Sequence, residues 1–118
     1  MTALKREMVI DVNLNPTEGS ETGKQRPCVV VTNDVYNARV PVIQVVAITA
    51  WSAKKERIKT NIVIEPTKQN GLTKRSIADC LQTRPVDHGV RMRTLRGALE
   101  PDSLEEIGKA LKIVFDLI

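Results

Sequence analysis

Aromatic residues are nearly missing from this chain. Tyr36, Trp51 and Phe115 make up 3% of its 118 residues, so any core must be aliphatic, built from Val, Ile and Leu. Histidine occurs once, at His88, which excludes a two-histidine acid/base mechanism within one chain; beside Gly89 it reads as a solvated loop residue. The two cysteines, Cys28 and Cys80, both lie in apolar runs and read as buried free thiols of a reducing compartment rather than as a disulfide. No Cys/His/Asp set has metal-ligand spacing, so neither a metal nor another cofactor is expected. No apolar stretch follows Met1 and no run approaches membrane-spanning length, so the expected location is cytoplasmic and no membrane partner is expected. With no repeat, linker or low-complexity segment, residues 1–118 read as a single domain, large enough for one modest core.

The apolar share of 42% and the charged share of 27% are ordinary for a globular protein. The net charge of +4 is unevenly spread. Residues 101–118 sum to −2, so the first hundred carry +6, with sixteen basic residues against ten acidic. Basic residues gather at Lys54, Lys55, Arg57 and Lys59, at Lys74 and Arg75, and at Arg84, Arg91, Arg93 and Arg96. A basic body with an acidic tail end points to a polyanionic partner such as nucleic acid, against the plainer reading of a solvated surface.

Residues 7–14 alternate Met8, Ile10, Val12 and Leu14 with Val9, Asp11 and Asn13, the period of a half-buried strand. A dozen polar residues follow, with turn signals at Asn15-Pro16 and Glu18-Gly19-Ser20, longer than a usual hairpin connection. Strands are expected at 27–32, where Cys28-Val29-Val30-Val31 is apolar throughout, and at 42–49, VIQVVAIT, as the central strand. Between them, residues 33–40 read as a polar or short helical turn. Residues 51–57 read as a basic loop, 58–65 and 75–82 as strands, 85–90 as a loop and 93–98 as a short closing strand. Leu104, Ile107, Leu111, Val114 and Ile118 recur at three and four and mark the one clear helix, with Asp102 and Glu105 as a capping box. Several short strands followed by one helix predict an α+β fold: a small, strongly curved antiparallel sheet or open barrel with a C-terminal α-helix.

Pro16, Gly19-Ser20-Glu21, Gly23, Lys24, Arg26-Pro27 and the apolar strand after them, then Asn33-Asp34, Ala47-Ile48-Thr49, Gly71-Leu72, Ser76 and Gln82-x-Arg84 stand in a telling order. The chain resembles the MazF/PemK toxins of type II toxin–antitoxin systems along essentially its whole length. The most specific part is P-x-x-G-S-E-x-G-x-x-R-P before an apolar strand. The resemblance implies an SH3-like barrel of the CcdB/MazF kind, a homodimer, and RNA in grooves near the dimer interface. The final helix and the Lys54–Arg57 region are candidate contributors to that dimer. It further implies metal-independent cleavage of single-stranded RNA at a short sequence, leaving a 2′,3′-cyclic phosphate and a 5′-hydroxyl. A MazE-like antitoxin would cover the same surface with an extended acidic tail.

Attack by a ribose 2′-hydroxyl builds negative charge on the phosphoryl oxygens, which a preformed cation and hydrogen-bond donors can stabilise. Arg26 suits that task because its planar fork matches phosphate oxygens, and Thr49 could donate a hydroxyl to the same group. The resemblance makes Arg26 and Thr49 the catalytic pair; by themselves they also read as a surface ion-pair residue and an ordinary strand residue. Ser20, Glu21 and Lys24 lie in the loop expected to flank RNA. Glu21 could accept from a base or hold Arg26. Gln82 matches a base-reading glutamine of some relatives, or is an outward-facing strand residue. Trp51 could stack on a base or anchor a rim, beside the basic loop with Lys54. RNA specificity is expected from residues 15–25 and 51–57.

Three departures from the family pattern stand out. Glu7-Met8 occupies the place of a common Gly-Asp, Asn13 that of a common Asp, and Leu81 that of an acid found before the glutamine in some relatives. The last removes one candidate general base, and strand alternation puts Asp79 on the face of Leu81, so the identity of the base stays open. Two other readings compete: a non-catalytic, CcdB-like toxin that binds a protein such as gyrase, and a basic RNA-binding module without cleavage.

Overall fold

The computed structural model describes residues 3–117. Its apolar and β-branched runs form β1 (Met8–Asn13), β2 (Gln25–Val30), β3 (Val42–Ala50), β4 (Asn61–Ile64), β5 (Ser76–Asp79), β6 (Arg84–Asp87) and β7 (Met92–Ala98). Short helical turns α1 (Asp34–Asn37), α2 (Ala53–Glu56) and α3 (His88–Arg91) sit in the connections, and α4 (Pro101–Val114) closes the chain. The sheet runs β4-β5-β3-β2-β1-β7, with β6 also on β3. Its pairings are antiparallel. Nine-residue β3 holds the sheet together: it pairs β2 along its middle, β6 over Val42–Val45 and β5 over Ile48–Ala50.

Because strand side chains alternate between faces, β1, β2 and β3 feed two separate cores. Ile10, Val12, Cys28, Val30, Ile43, Val45 and Ala47 join Leu4, Leu14 and Val86 on one face. No helix contributes to that cluster, so the curled sheet buries this face against itself. Val9, Val29, Val46 and Ile48 point the other way, under Leu104, Ile107 and Ala110 of α4. Val9 is therefore fully buried, and β1 is covered on both sides rather than half-wet. Burial pushes the thiols of Cys28 and Cys80 up to about 12, and both are free.

Several boundaries differ from the sequence expectation. The strand expected at 58–65 is only Asn61–Ile64, and Ile58 is exposed. The strand expected at 75–82 ends at Asp79, and Cys80–Gln82 is a 3-10 turn. That turn removes the alternation argument that linked Asp79 to Leu81. The loop expected at 85–90 is instead an edge strand and α3, which His88 opens. The basic loop at 51–57 contains α2, with Ser52 capping it by accepting from Lys55 N.

Helix α4 begins at Pro101, whose fixed φ and missing N–H suit a first turn. Glu100 is the N-cap and its side chain does not cap, so the box expected between Asp102 and Glu105 does not form. Glu100 ties the helix to the preceding turn instead: its carboxylate accepts from Thr67 Oγ1 at 2.6 Å and Asn70 Nδ2 at 3.0 Å. Partial burial acts to raise its pKa, but these bonds and one from its own backbone outweigh that and hold it below the usual value. Ile118, expected on the helix face, lies outside the described residues. Gly97 is required where β7 passes this turn, since a Cβ there would meet the Gln69 carbonyl oxygen at 2.1 Å.

Candidate functional site

The polar loop between β1 and β2 is long but tied down at its root. Arg84 Nη1 donates to Leu14 O at 3.1 Å, and Arg91 Nη1 donates to Asn13 O at 3.0 Å and Asn15 O at 2.7 Å. Across the loop, Leu14 N donates to Lys24 O and Lys24 N to Asn15 Oδ1, both at 2.9 Å. Gly23 fits because a Cβ would meet Thr17 Oγ1 at 2.6 Å and Asn15 Oδ1 at 2.7 Å. Arg96 is also consumed internally: its Nε lies 2.7 Å from Asp11 Oδ1, which with Thr94 ties β1 to β7. Three arginines of the basic cluster at 84–96 thus brace the fold rather than project from it.

The loop tip is held from a distant part of the chain. Gln82 Oε1 accepts from Thr22 N at 2.6 Å, and Gln82 Nε2 donates to Ser20 O at 3.3 Å. Gln82 can do this because the 3-10 turn after β5 aims it at the loop. Glu21 folds back on its own loop and accepts from Glu18 N at 2.8 Å.

This loop stands as a wall between two open grooves. The first, about 590 Å³, brings together Glu21, Lys24, Arg26, Thr49 and Lys55. Arg26 is the second residue of β2, and its Nε donates to Gly23 O at 3.1 Å. That bond uses one of five guanidinium donors, so the loop aims the head without exhausting it. Thr49 is the penultimate residue of β3, half-buried, and its Oγ1 accepts from Lys55 Nζ at 3.3 Å. The groove thus holds three cations and one acid, an arrangement suited to a phosphodiester. The second groove, about 540 Å³, is lined by Ser20, Glu21 and Thr22 on one side and Leu81–Pro85 on the other. Leu81 is strongly exposed there.

Arg26, Thr49, Glu21 and Lys24 therefore share one groove, and Ser20 and Gln82 share the other with Glu21. Lys54 and Trp51 line neither. Lys54 is exposed on α2, and it is Lys55 that enters the first groove. Trp51 donates from Nε1 to Glu56 Oε1 at 2.6 Å, and the Arg75 guanidinium lies 4.6 Å above its ring centre. Arg75 is itself held by Glu65 at 3.2 Å, so one face of the indole is already covered. Lys55 and Thr22 fall within the stretches expected to set RNA specificity, but the sequence does not single them out. Ser52 before Ala53-Lys54-Lys55-Glu56 was a legible helix-start signal, and a helix there turns Lys55 inward. Among the described residues no group of three His, Cys, Asp or Glu is arranged to hold a metal, and no helix is long and apolar enough to cross a membrane.

Residues 5–115 match the family described as PemK-like, MazF-like toxin of type II toxin–antitoxin system. The chain belongs to that family. It is 32% identical over 115 residues to endoribonuclease EndoA of Bacillus subtilis, covering 98% of this chain and 97% of the relative. Among solved structures, MazF of Deinococcus radiodurans superposes with a TM-score of 0.83 at 17% identity, covering 98% and 99% of the two chains. A mycobacterial endoribonuclease in complex with its cognate antitoxin gives 0.77 at 18% identity, covering 98% of each. The expected α+β, MazF-like fold is the observed one.

Proposed function

We propose that this protein, as one domain over residues 1–118, is the toxin of a type II toxin–antitoxin pair and acts as a metal-independent endoribonuclease on single-stranded RNA. The observation that carries the proposal is the convergence of Arg26 and Thr49, from two different strands, in one cationic groove beside the β1–β2 loop. The 2′-hydroxyl attacks the adjacent phosphorus and loses its proton. A P–O2′ bond forms, the P–O5′ bond breaks, and the 5′-oxygen takes up a proton. The products carry a 2′,3′-cyclic phosphate and a 5′-hydroxyl. Charge that builds on the non-bridging oxygens meets the Arg26 guanidinium and the Thr49 hydroxyl. Each such donor is worth about 10²–10³ in rate.

Bases flanking the cut lie along the loop wall, where Ser20, Glu21, Lys24 and Gln82 line the grooves. The relative from Bacillus subtilis is named an endoribonuclease, which supports the same reading. Solved MazE–MazF complexes from Deinococcus radiodurans share this fold, which supports an antitoxin of that kind as the partner. A homodimer is supported by exposed Val35, Tyr36, Val40 and Val42 around α1 and the start of β3.

The test is cleavage of a defined RNA by the purified protein in EDTA, beside Arg26→Ala, with both product ends mapped. Cuts at one short motif with cyclic-phosphate ends, slowed at least about 10²-fold in the variant, are expected. RNA left intact by the folded, antitoxin-free wild type would overturn the proposal.

A further inference from the structure

Lys55 is held more firmly than a surface lysine has reason to be. Its backbone N–H is taken by Ser52 Oγ at 3.1 Å, and its carbonyl accepts from Asn61 Nδ2 at 3.1 Å. The side chain is half-buried where its neighbour Lys54 is exposed. Its Nζ donates to Ala50 O at 3.0 Å and to Thr49 Oγ1 at 3.3 Å.

The second bond has only one possible direction. An ammonium carries three donors and no acceptor. Thr49 Oγ1 must therefore accept from Lys55, and its single proton is left for another group. No acceptor among the described residues takes that proton. Without Lys55 the hydroxyl would be free to turn and give its proton to water.

We propose that Lys55 is a positioning residue for RNA cleavage, whose ammonium fixes the Thr49 hydroxyl as a donor into the groove. The inference rests on the ribonuclease reading above and adds a residue to it. In the ground state a misdirected hydroxyl costs little, because the phosphate is already neutralised by Arg26. In the transition state it costs part of what the donor contributes. Lys55 thus acts on kcat more than on KM.

Single-turnover and steady-state cleavage of one RNA would be measured for wild type, Lys55→Met, Thr49→Val and the double variant, with thermal unfolding of each. Lys55→Met is expected to lower kcat about tenfold, a fraction of the loss from deleting such a donor outright, with KM moved less than about threefold. In the Thr49→Val background the same change should cost less than about twofold, because residues acting as a unit are not additive. Lys55→Arg, which keeps the donors, should recover most of the rate, and it keeps the test open should Lys55→Met fail to fold. Equal losses with and without Thr49, or an unchanged kcat in Lys55→Met, would overturn the inference and leave the ribonuclease reading standing. A wild type that cuts no RNA would overturn both.

Discussion

Gln82 spends both ends of its amide on the backbone of Ser20 and Thr22. The family resemblance matches it to a base-reading glutamine of some relatives, and in this arrangement one Nε2 hydrogen and one Oε1 lone pair are left over for such a contact. Its hold on the loop is the part this structure shows, and the loop tip should loosen when Gln82 is lost. A backbone bond to a side-chain amide is worth about 1 kcal/mol net, or about fivefold in an opening equilibrium. Amide exchange at Thr22, followed by NMR, is expected to quicken about fivefold in Gln82→Ala while the β3 amides stay unchanged. An unaltered Thr22 rate would mean that Arg84 and Arg91 hold the whole loop from its root. The sequence could single out Gln82 as a residue but not its partner, because sixty positions separate it from Thr22 and only the 3-10 turn joins them. Arg26 and Thr49 were legible as residue types suited to a phosphate. Lys55 was not separable from Lys54 until α2 fixed which of the two faces inward.

The elements that the sequence made plain are those whose period matches their environment. β3 is mostly β-branched and buried over Val45–Ile48, and α4 repeats its apolar face at three and four. β6 and α3 were hidden by Pro85 and Gly89, which read as loop. Proline is tolerated in β6 because that strand lies at the sheet margin and pairs only β3. The capping box failed for a related reason: Pro101 sets the start of α4 one residue before Asp102 and leaves the cap to Glu100. Glu100 couples α4 to the Thr67–Asn70 turn only as a carboxylate. Its pKa in the folded protein is lowered, so the stabilisation it gives is present above the unfolded value of 4.5 and disappears as pH falls through the folded one. Glu100→Gln is expected to melt below wild type at pH 7, and the gap should close as pH falls below 4.5. A gap that persists undiminished at pH 3 would show that shape, rather than charge, is what the turn recognises.

At the scale of the molecule, a net charge of +4 says less about RNA than its distribution does. Arg84, Arg91 and Arg96 are drawn into loop carbonyls and Asp11, and Arg75 lies between Trp51, Glu56 and Glu65. Of the remaining cations, Lys24, Arg26 and Lys55 gather in the groove that holds Thr49. The basic composition points to a polyanion, and the proposed groove would confine the contact to a short stretch of backbone. That narrowing has a measurable signature. Each phosphate neutralised on a single strand contributes about −0.7 to the slope of log K against log salt. With Lys55 engaged by Thr49 and Ala50, Lys24 and Arg26 are left to meet phosphates and give a slope of about −1.4, whereas a strand wrapped over the basic body at large would exceed about −4. RNA with a 2′-deoxy sugar at the cut site, which cannot cyclise, would be titrated by fluorescence anisotropy across a salt series. Lys24→Gln should make the slope shallower by about 0.7, while Lys74→Gln, which lines neither groove, should leave it unchanged. A steep slope insensitive to Lys24 would move the RNA path off this groove and onto the outer surface.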